Sequence, residues 1–132
     1  MFVDTSALVA MLTNEDDAAD FAQRLSQTAK RLSSPIAQFE TVAAVARINA
    51  LPLDEAGQAV ESFLQLLNIQ VLALPPKASI LALEAFERFG RGNDHPAQLN
   101  MGECYSYACA RYFRVPLLFK GNGFVQTDIE RA

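Results

Sequence analysis

Met1-Phe2-Val3-Asp4-Thr5-Ser6-Ala7-Leu8-Val9-Ala10-Met11-Leu12 decides the architecture: a short apolar run ends in three oxygen-bearing residues and passes at once into a helix-like stretch. An apolar run this short, stopped so abruptly, reads as a strand. Ligands of open parallel sheets bind outside the carboxyl ends of the strands, so a carboxylate on the first strand-to-helix turn points into that crevice. The competing reading is that Asp4 or Thr5 caps the helix, because a short oxygen-bearing side chain there satisfies free backbone N–H groups. Both readings stand on this segment alone.

Outward from it, the helical stretch breaks near Thr13-Asn14, and Glu15, Asp16 and Asp17 open a second helix with Ala18, Phe21, Ala22 and Leu25 as its apolar stripe. Lys30 to Ser34 reads as a polar-edged link. Pro35 suits a first helical position, and Ile36, Phe39, Val42, Ala43 and Ala46 recur at helical spacing up to about Asn49. After Leu51-Pro52 a further helix covers Leu53 to Leu67, with Ala56, Val60, Phe63, Leu64 and Leu67 on its buried side. Ile69 to Leu74, stopped by Pro75-Pro76, is a strand; Ala78 to Phe89 is helix; Gly90 to Leu99 is a polar loop. Asn100 caps a helix running to about Tyr112, and Val115 to Phe119 is a strand with Pro116 at its beginning or at an edge. Short strands alternating with helices imply an α/β fold with a parallel sheet and right-handed crossovers.

Composition narrows the function classes. With 132 residues the chain is expected to form a single domain, 1–132. Its 51% hydrophobic and 20% charged residues are ordinary globular usage, which removes disordered and low-complexity classes. No apolar stretch reaches the roughly 18 residues of a membrane span, and Asp4 interrupts any signal-like start, so a cytoplasmic location is expected. The net charge of −4 argues against holding nucleic acid on a broad basic surface. It is compatible with acidic charge concentrated in a metal-binding cleft. Cys104, Cys109 and His95 lack a usual zinc spacing, and the two cysteines read as buried apolar groups.

The acids are the chemistry-bearing candidates. Glu40 interrupts an apolar helix between Phe39 and Val42, which suits either a site or a solvated face; Glu103 in a helix's first turn suits either a site or dipole chemistry. Together with Asp4 they place three hard oxygen ligands on three segments that an α/β fold can converge at one end of its sheet. Mg²⁺ or Mn²⁺ is the cation such a donor set suits. His95 as a general base and Ser6 as a nucleophile are discounted, since a lone loop histidine is usually structural and no Gly-x-Ser-x-Gly elbow is present.

Beyond Val3 to Leu8 and Glu40, an ordered series continues through His95-Pro96-Ala97, Leu99-Asn100-Met101-Gly102-Glu103-Cys104 and Ser106-Tyr107-Ala108. It ends with Leu117-Leu118-Phe119-Lys120-Gly121, Phe124 and Thr127-Asp128-Ile129. Nearly end to end, this resembles the PIN-domain nucleases, and more narrowly the VapC-type ribonuclease toxins of bacterial toxin-antitoxin pairs. The resemblance implies a three-layer α/β/α domain with a short central parallel sheet. It implies divalent-metal-dependent hydrolysis of RNA that leaves a 5′-phosphate and a 3′-hydroxyl, with Asp4, Glu40 and Glu103 as catalytic and metal-binding acids. Two departures matter. Glu103 stands where aspartate is common, and Gly121-Asn122-Gly123-Phe124 stands where the family often has Gly-Asp-Asp-Phe. Asn122 brings hydrogen bonding but no negative charge, so a second metal would depend on substrate or on Asp128.

Around this set, Ser6 and Asn100 suit either support of the carboxylates or simple capping, and Arg88, Arg91 and Lys120 suit either phosphate contacts or surface charge. The resemblance also implies a cognate VapB-like antitoxin whose tail fills the acidic cleft and which alone contacts operator DNA, and a homodimer. The apolar helices at 35–50 and 53–67 are either grooves for such partners or ordinary core. Two rival readings of the sequence remain: a catalytically weakened PIN-fold module that only binds antitoxin or nucleic acid, and a small-molecule phosphohydrolase.

Overall fold

The computed structural model describes residues 1–132. Four two-residue strands, β1 (Phe2–Val3), β2 (Leu32–Ser33), β3 (Gln70–Val71) and β4 (Leu117–Leu118), form one parallel sheet in the order β3-β2-β1-β4. Each crossover is a helix pair: α1 (Thr5–Leu12) with α2 (Ala18–Ser26), α3 (Pro35–Ile48) with α4 (Leu53–Leu66), and α5 (Pro76–Phe89) with α6 (Met101–Phe113). No helix is long and apolar enough to cross a membrane.

Alternation along the strands builds the layers, because successive side chains point to opposite faces. Phe2, Leu32 and Leu117 pack with Ala82, Ala85 and Phe89 of α5 and Cys104 and Ala108 of α6. Val3 and Leu118 pack on the other side with Ala7 and Leu8 of α1, Phe21 and Leu25 of α2, and Val60 and Leu64 of α4. The result is three layers, α/β/α. Both cysteines lie in the core, and burial pushes each thiol up to about 11, with the Glu103 charge adding to the effect at Cys104.

Three expectations are corrected. The segment Lys30 to Ser34, read as a link, contains β2, which sits inside the sheet. Leu32 N–H donates to Met1 O at 2.9 Å, while Arg31 O and Ser33 O accept from Gln70 and Leu72 at 2.8 and 3.0 Å. Two residues carry no periodicity, and only the long-range pairing on both edges makes them a strand. The buried stripe of α3 is Ala37, Thr41 and Val45, whereas Phe39 is 75% exposed. Small residues at four-residue spacing bring this helix close to its neighbours, and Thr41 satisfies its hydroxyl by donating to Ala37 O at 2.6 Å. The run from Ile69 to Leu74 is a strand only over Gln70–Val71, an exposed edge.

The chain runs outward from β1 to β2 to β3, then returns to add β4 on the other side of β1. That reversal makes the carboxyl ends of β1 and β4 the topological switch point, where such sheets form a crevice. Asp4 N–H donates to Leu118 O at 3.0 Å across this point.

Candidate active site

Asp4 leaves β1 in an extended conformation and becomes the N-cap of α1, its carbonyl accepting from Ala7 and Leu8. The residue as a whole is buried, 3% exposed, and its Oδ2 accepts from Ser6 N–H at 3.0 Å and from Ser6 Oγ at 2.6 Å. Ser6 Oγ in turn accepts from Lys120 N–H at 2.9 Å, so the turn after β4 helps to fix the acid at the end of β1. Capping and lining the crevice are therefore one arrangement here. The two readings of Asp4 were never exclusive.

Glu40, in the second turn of α3, reaches toward α1, where its Oε1 accepts from Thr5 Oγ1 at 2.8 Å. Glu103 enters with α6 in a capping box: Asn100 Oδ1 accepts from Glu103 N–H at 2.8 Å, and Glu103 Oε1 accepts from Asn100 N–H at 3.1 Å. Asp4, Thr5, Ser6, Glu40, Asn100 and Glu103 together line one open cleft of about 320 Å³ that has no hydrophobic lining residue. Each carboxylate has one oxygen held by the protein, and Asp4 Oδ1, Glu40 Oε2 and Glu103 Oε2 receive no hydrogen bond from the chain.

The electrostatics follow from this crowding. Burial raises the Glu40 carboxyl above its usual range; the Thr5 hydrogen bond opposes this and the Asp4 charge adds to it. Burial likewise raises Glu103, opposed by the Asn100 amide and the Arg91 charge and reinforced by Asp4 and Glu40. Glu40 thus feels the Asp4 charge, and Glu103 feels both Asp4 and Glu40. No basic side chain lines the cleft itself, and Arg91 is the one positive charge felt at Glu103.

Its donor chemistry fits a hard divalent cation. No three of the chain's acidic, histidine or cysteine side chains, as placed, are spaced to grip one ion together. Mg²⁺ keeps several of its waters and takes only one or two carboxylates directly, so three free oxygens around an open cleft suit it without a closed cage.

The remaining candidates divide. Arg91 is exposed, and its charge is felt at Glu103. Lys120 turns its ammonium to Glu15 at 2.8 Å and Asp17 at 3.2 Å, so its side chain is held by α2's leading acids rather than presented to a phosphate. Arg88 lies over the Phe89 ring and pairs with Asp128 at 3.3 Å. Asp128 also accepts from Tyr107 Oη and Arg111, which commits it to anchoring the tail on α6; it does not line the cleft and does not replace the missing charge at 122. Asn122 is exposed, next to Gly123, whose backbone backs onto Glu103. His95 is structural: its Nδ1 accepts from Ala97 N–H at 3.1 Å and its ring meets Phe89 edge-on. Sequence reasoning gave no role to Thr5 beyond capping and none to Gly102, where a side chain would occupy the place of the Glu40 carboxylate. The first had a signal in its position beside Asp4; the second had none.

Comparison with known proteins bears on the fold and the family. The family model for the PIN domain matches residues 1–130. A VapC ribonuclease of Rhizobium meliloti is 36% identical, with 97% of this chain and 98% of the relative covered. Ribonuclease VapC28 of Mycobacterium tuberculosis is 39% identical, with 100% and 97% covered. In fold, the chain is similar to the crystal structure of Mycobacterium tuberculosis VapC20, a Sarcin-Ricin loop cleaving toxin, with a TM-score of 0.75 over 99% of this chain and 97% of that one at 14% identity. The acids at the switch point and the full-length likeness carry one conclusion: the chain belongs to the PIN-domain family, among the VapC ribonucleases.

Proposed function

We propose that the protein is a divalent-metal-dependent endoribonuclease, the toxin of a toxin-antitoxin pair, with Asp4, Glu40 and Glu103 as its catalytic acids. One observation carries the reading: three carboxylates from three segments face one cleft at the switch point, each with one oxygen fixed by the fold and one left free. Full-length likeness to VapC ribonucleases supports RNA as the substrate class. The free oxygens of Asp4 and Glu103 would hold Mg²⁺ or Mn²⁺, directly or through water, with Glu40 completing the set. Bound there, such an ion supplies Lewis-acid withdrawal of charge from a phosphate oxygen and acidification of water.

The chain's own residues supply the positioning. Ser6 and the Lys120 amide fix the Asp4 carboxylate, Thr5 fixes Glu40, and the Asn100 capping box fixes Glu103. Pre-set acids spare the reorganisation that a flexible site would need at the moment of reaction. Glu40, raised above the usual carboxylate range, is suited to orient the attacking water and accept its proton. Water adds to phosphorus, the P–O3′ bond breaks and the leaving 3′-oxygen takes a proton, giving a 5′-phosphate and a 3′-hydroxyl. Arg91 is the basic side chain placed to meet a phosphate near Glu103. The cognate antitoxin is the expected partner, its tail bringing a basic side chain into the acidic cleft and its other part binding operator DNA; the chain itself acts as a homodimer.

The test is Asp4→Asn, which keeps the shape and the N-cap but removes the charge. Metal-dependent RNA cleavage should fall by roughly a hundredfold or more, several kcal/mol of transition-state stabilisation. Undiminished turnover in a folded variant would remove Asp4 from the mechanism, and cleavage that survives full chelation would remove the metal.

A further inference from the structure

Two glycines stand against two glutamates in this cleft. Gly102 is buried in the first turn of α6, and a Cβ built there would fall on the carboxyl group of Glu40, against both its oxygens and its Cδ. Gly123, after the β4 turn, is looser: its Cβ would lie 3.3 Å from Glu103 Oε2, 3.2 Å from Ala97 O and 3.4 Å from Leu99 Cδ2. Glutamate reaches one methylene further than aspartate, and that extra length has to end somewhere. In this chain it ends where a side chain is missing.

We infer that Gly102 is a positioning residue: its bare Cα forms the slot that seats the Glu40 carboxylate between Thr5 and the first turn of α6. The inference rests on the metal-binding reading only for its consequence, not for its geometry.

Helix propensity makes the slot informative. Position 102 is helical, and alanine is favoured over glycine inside a helix by about 1 kcal/mol. On backbone grounds alone, Gly102→Ala should help α6. The atoms it would displace are the far end of a flexible side chain, which swings aside without unfolding anything. Glu40 would then leave Thr5 Oγ1, its present partner at 2.8 Å, and its free oxygen would leave the group formed with Asp4 and Glu103. The electrostatic setting adds to the effect, since a carboxylate at the first turn of α6 lies at the positive end of that helix's dipole. Displacement costs Glu40 both the hydrogen bond and the dipole.

The test measures Mn²⁺ affinity by electron paramagnetic resonance or calorimetry for the wild type, Gly102→Ala, Glu40→Asp and the double variant, with thermal melts of each metal-free protein. Gly102→Ala should melt at or above the wild-type temperature yet bind Mn²⁺ at least about tenfold more weakly, within the range that displaced supporting groups cost metal sites. Combining it with Glu40→Asp, whose shorter side chain clears the methyl, should restore part of that affinity; Glu40→Asp alone should not improve on the wild type. Wild-type Mn²⁺ affinity in Gly102→Ala, or a double variant no better than the single one, overturns the inference. If the wild type itself binds no Mn²⁺, the metal reading fails and the slot is decided by a metal-free crystal structure of Gly102→Ala. Glu40 turned off Thr5 upholds it; Glu40 unmoved overturns it.

Discussion

Individual side chains in the cleft combine support with strain. Glu40 and Glu103 are pushed above the ordinary carboxylate range chiefly by burial, with neighbouring acids adding to it. The sign of the linkage follows. Between the ordinary value and the raised one the folded state binds more protons than the unfolded chain, so stability falls as pH rises through that window. Above it the metal-free protein carries the full cost of holding these charges together. Glu40→Gln keeps an oxygen for Thr5 to donate to and removes one charge; it should raise the metal-free melting temperature at pH 7 by ~2 °C and lose that advantage as pH drops below the window. The same variant should cleave RNA more slowly. Paired melts at pH 4 and pH 7 check the first part; a variant that melts lower than the wild type at pH 7 contradicts the sign.

Elements are joined to the site through their ends. The acids sit at the end of β1, in the second turn of α3 and in the first turn of α6, and both Asp4 and Asn100 are N-caps whose partners belong to the cleft. Asn100→Ala removes the acceptor for Glu103 N–H and should cost about 1 kcal/mol, seen as a lower melting temperature, while Asn100→Ser should retain most of it. Equal melting of the alanine and serine variants would show that the cap is not what holds the first turn. The long helices were legible because their apolar stripes repeat: α4 buries Ala56, Val60 and Leu64, as periodicity predicts. The reading failed at β2, where two residues offer no period, and at α3, where the large residues Phe39 and Ile48 face outward and the small ones face in.

The assembled molecule closes on its own tail. Arg131 forms a bridge with Leu117, and Asp128 is gripped by Tyr107, Arg111 and Arg88. Burial pushes the Asp128 carboxyl up, but the Tyr107 hydrogen bond and the guanidinium charges outweigh it and hold the group below its usual range. A depressed carboxyl contributes stability above its unfolded value, and that contribution disappears as pH falls through the folded value. Asp128→Asn should therefore melt below the wild type at pH 7, and the two curves should merge once the solution is acidic enough to protonate the wild-type group. Added salt should narrow the gap at pH 7, because the pairs are partly exposed and screened. A gap that persists unchanged in acid would assign the anchor to packing instead of charge.

By itself the sequence determined the alternation of strand and helix, the buried cysteines and the capping signals, because each is written in neighbouring residues or in a repeating period, whereas Asp4, Glu40 and Glu103 stood out as candidate catalytic acids only through likeness to a family. Tertiary structure alone decided that β2 is a strand, that Lys120, Arg88 and Asp128 are spent on ion pairs, and that Gly102 makes room for Glu40. These depend on which segments lie beside one another after folding. Residues 62 positions apart in the chain, Glu40 and Gly102, have no local pattern to announce that one occupies the space the other leaves empty.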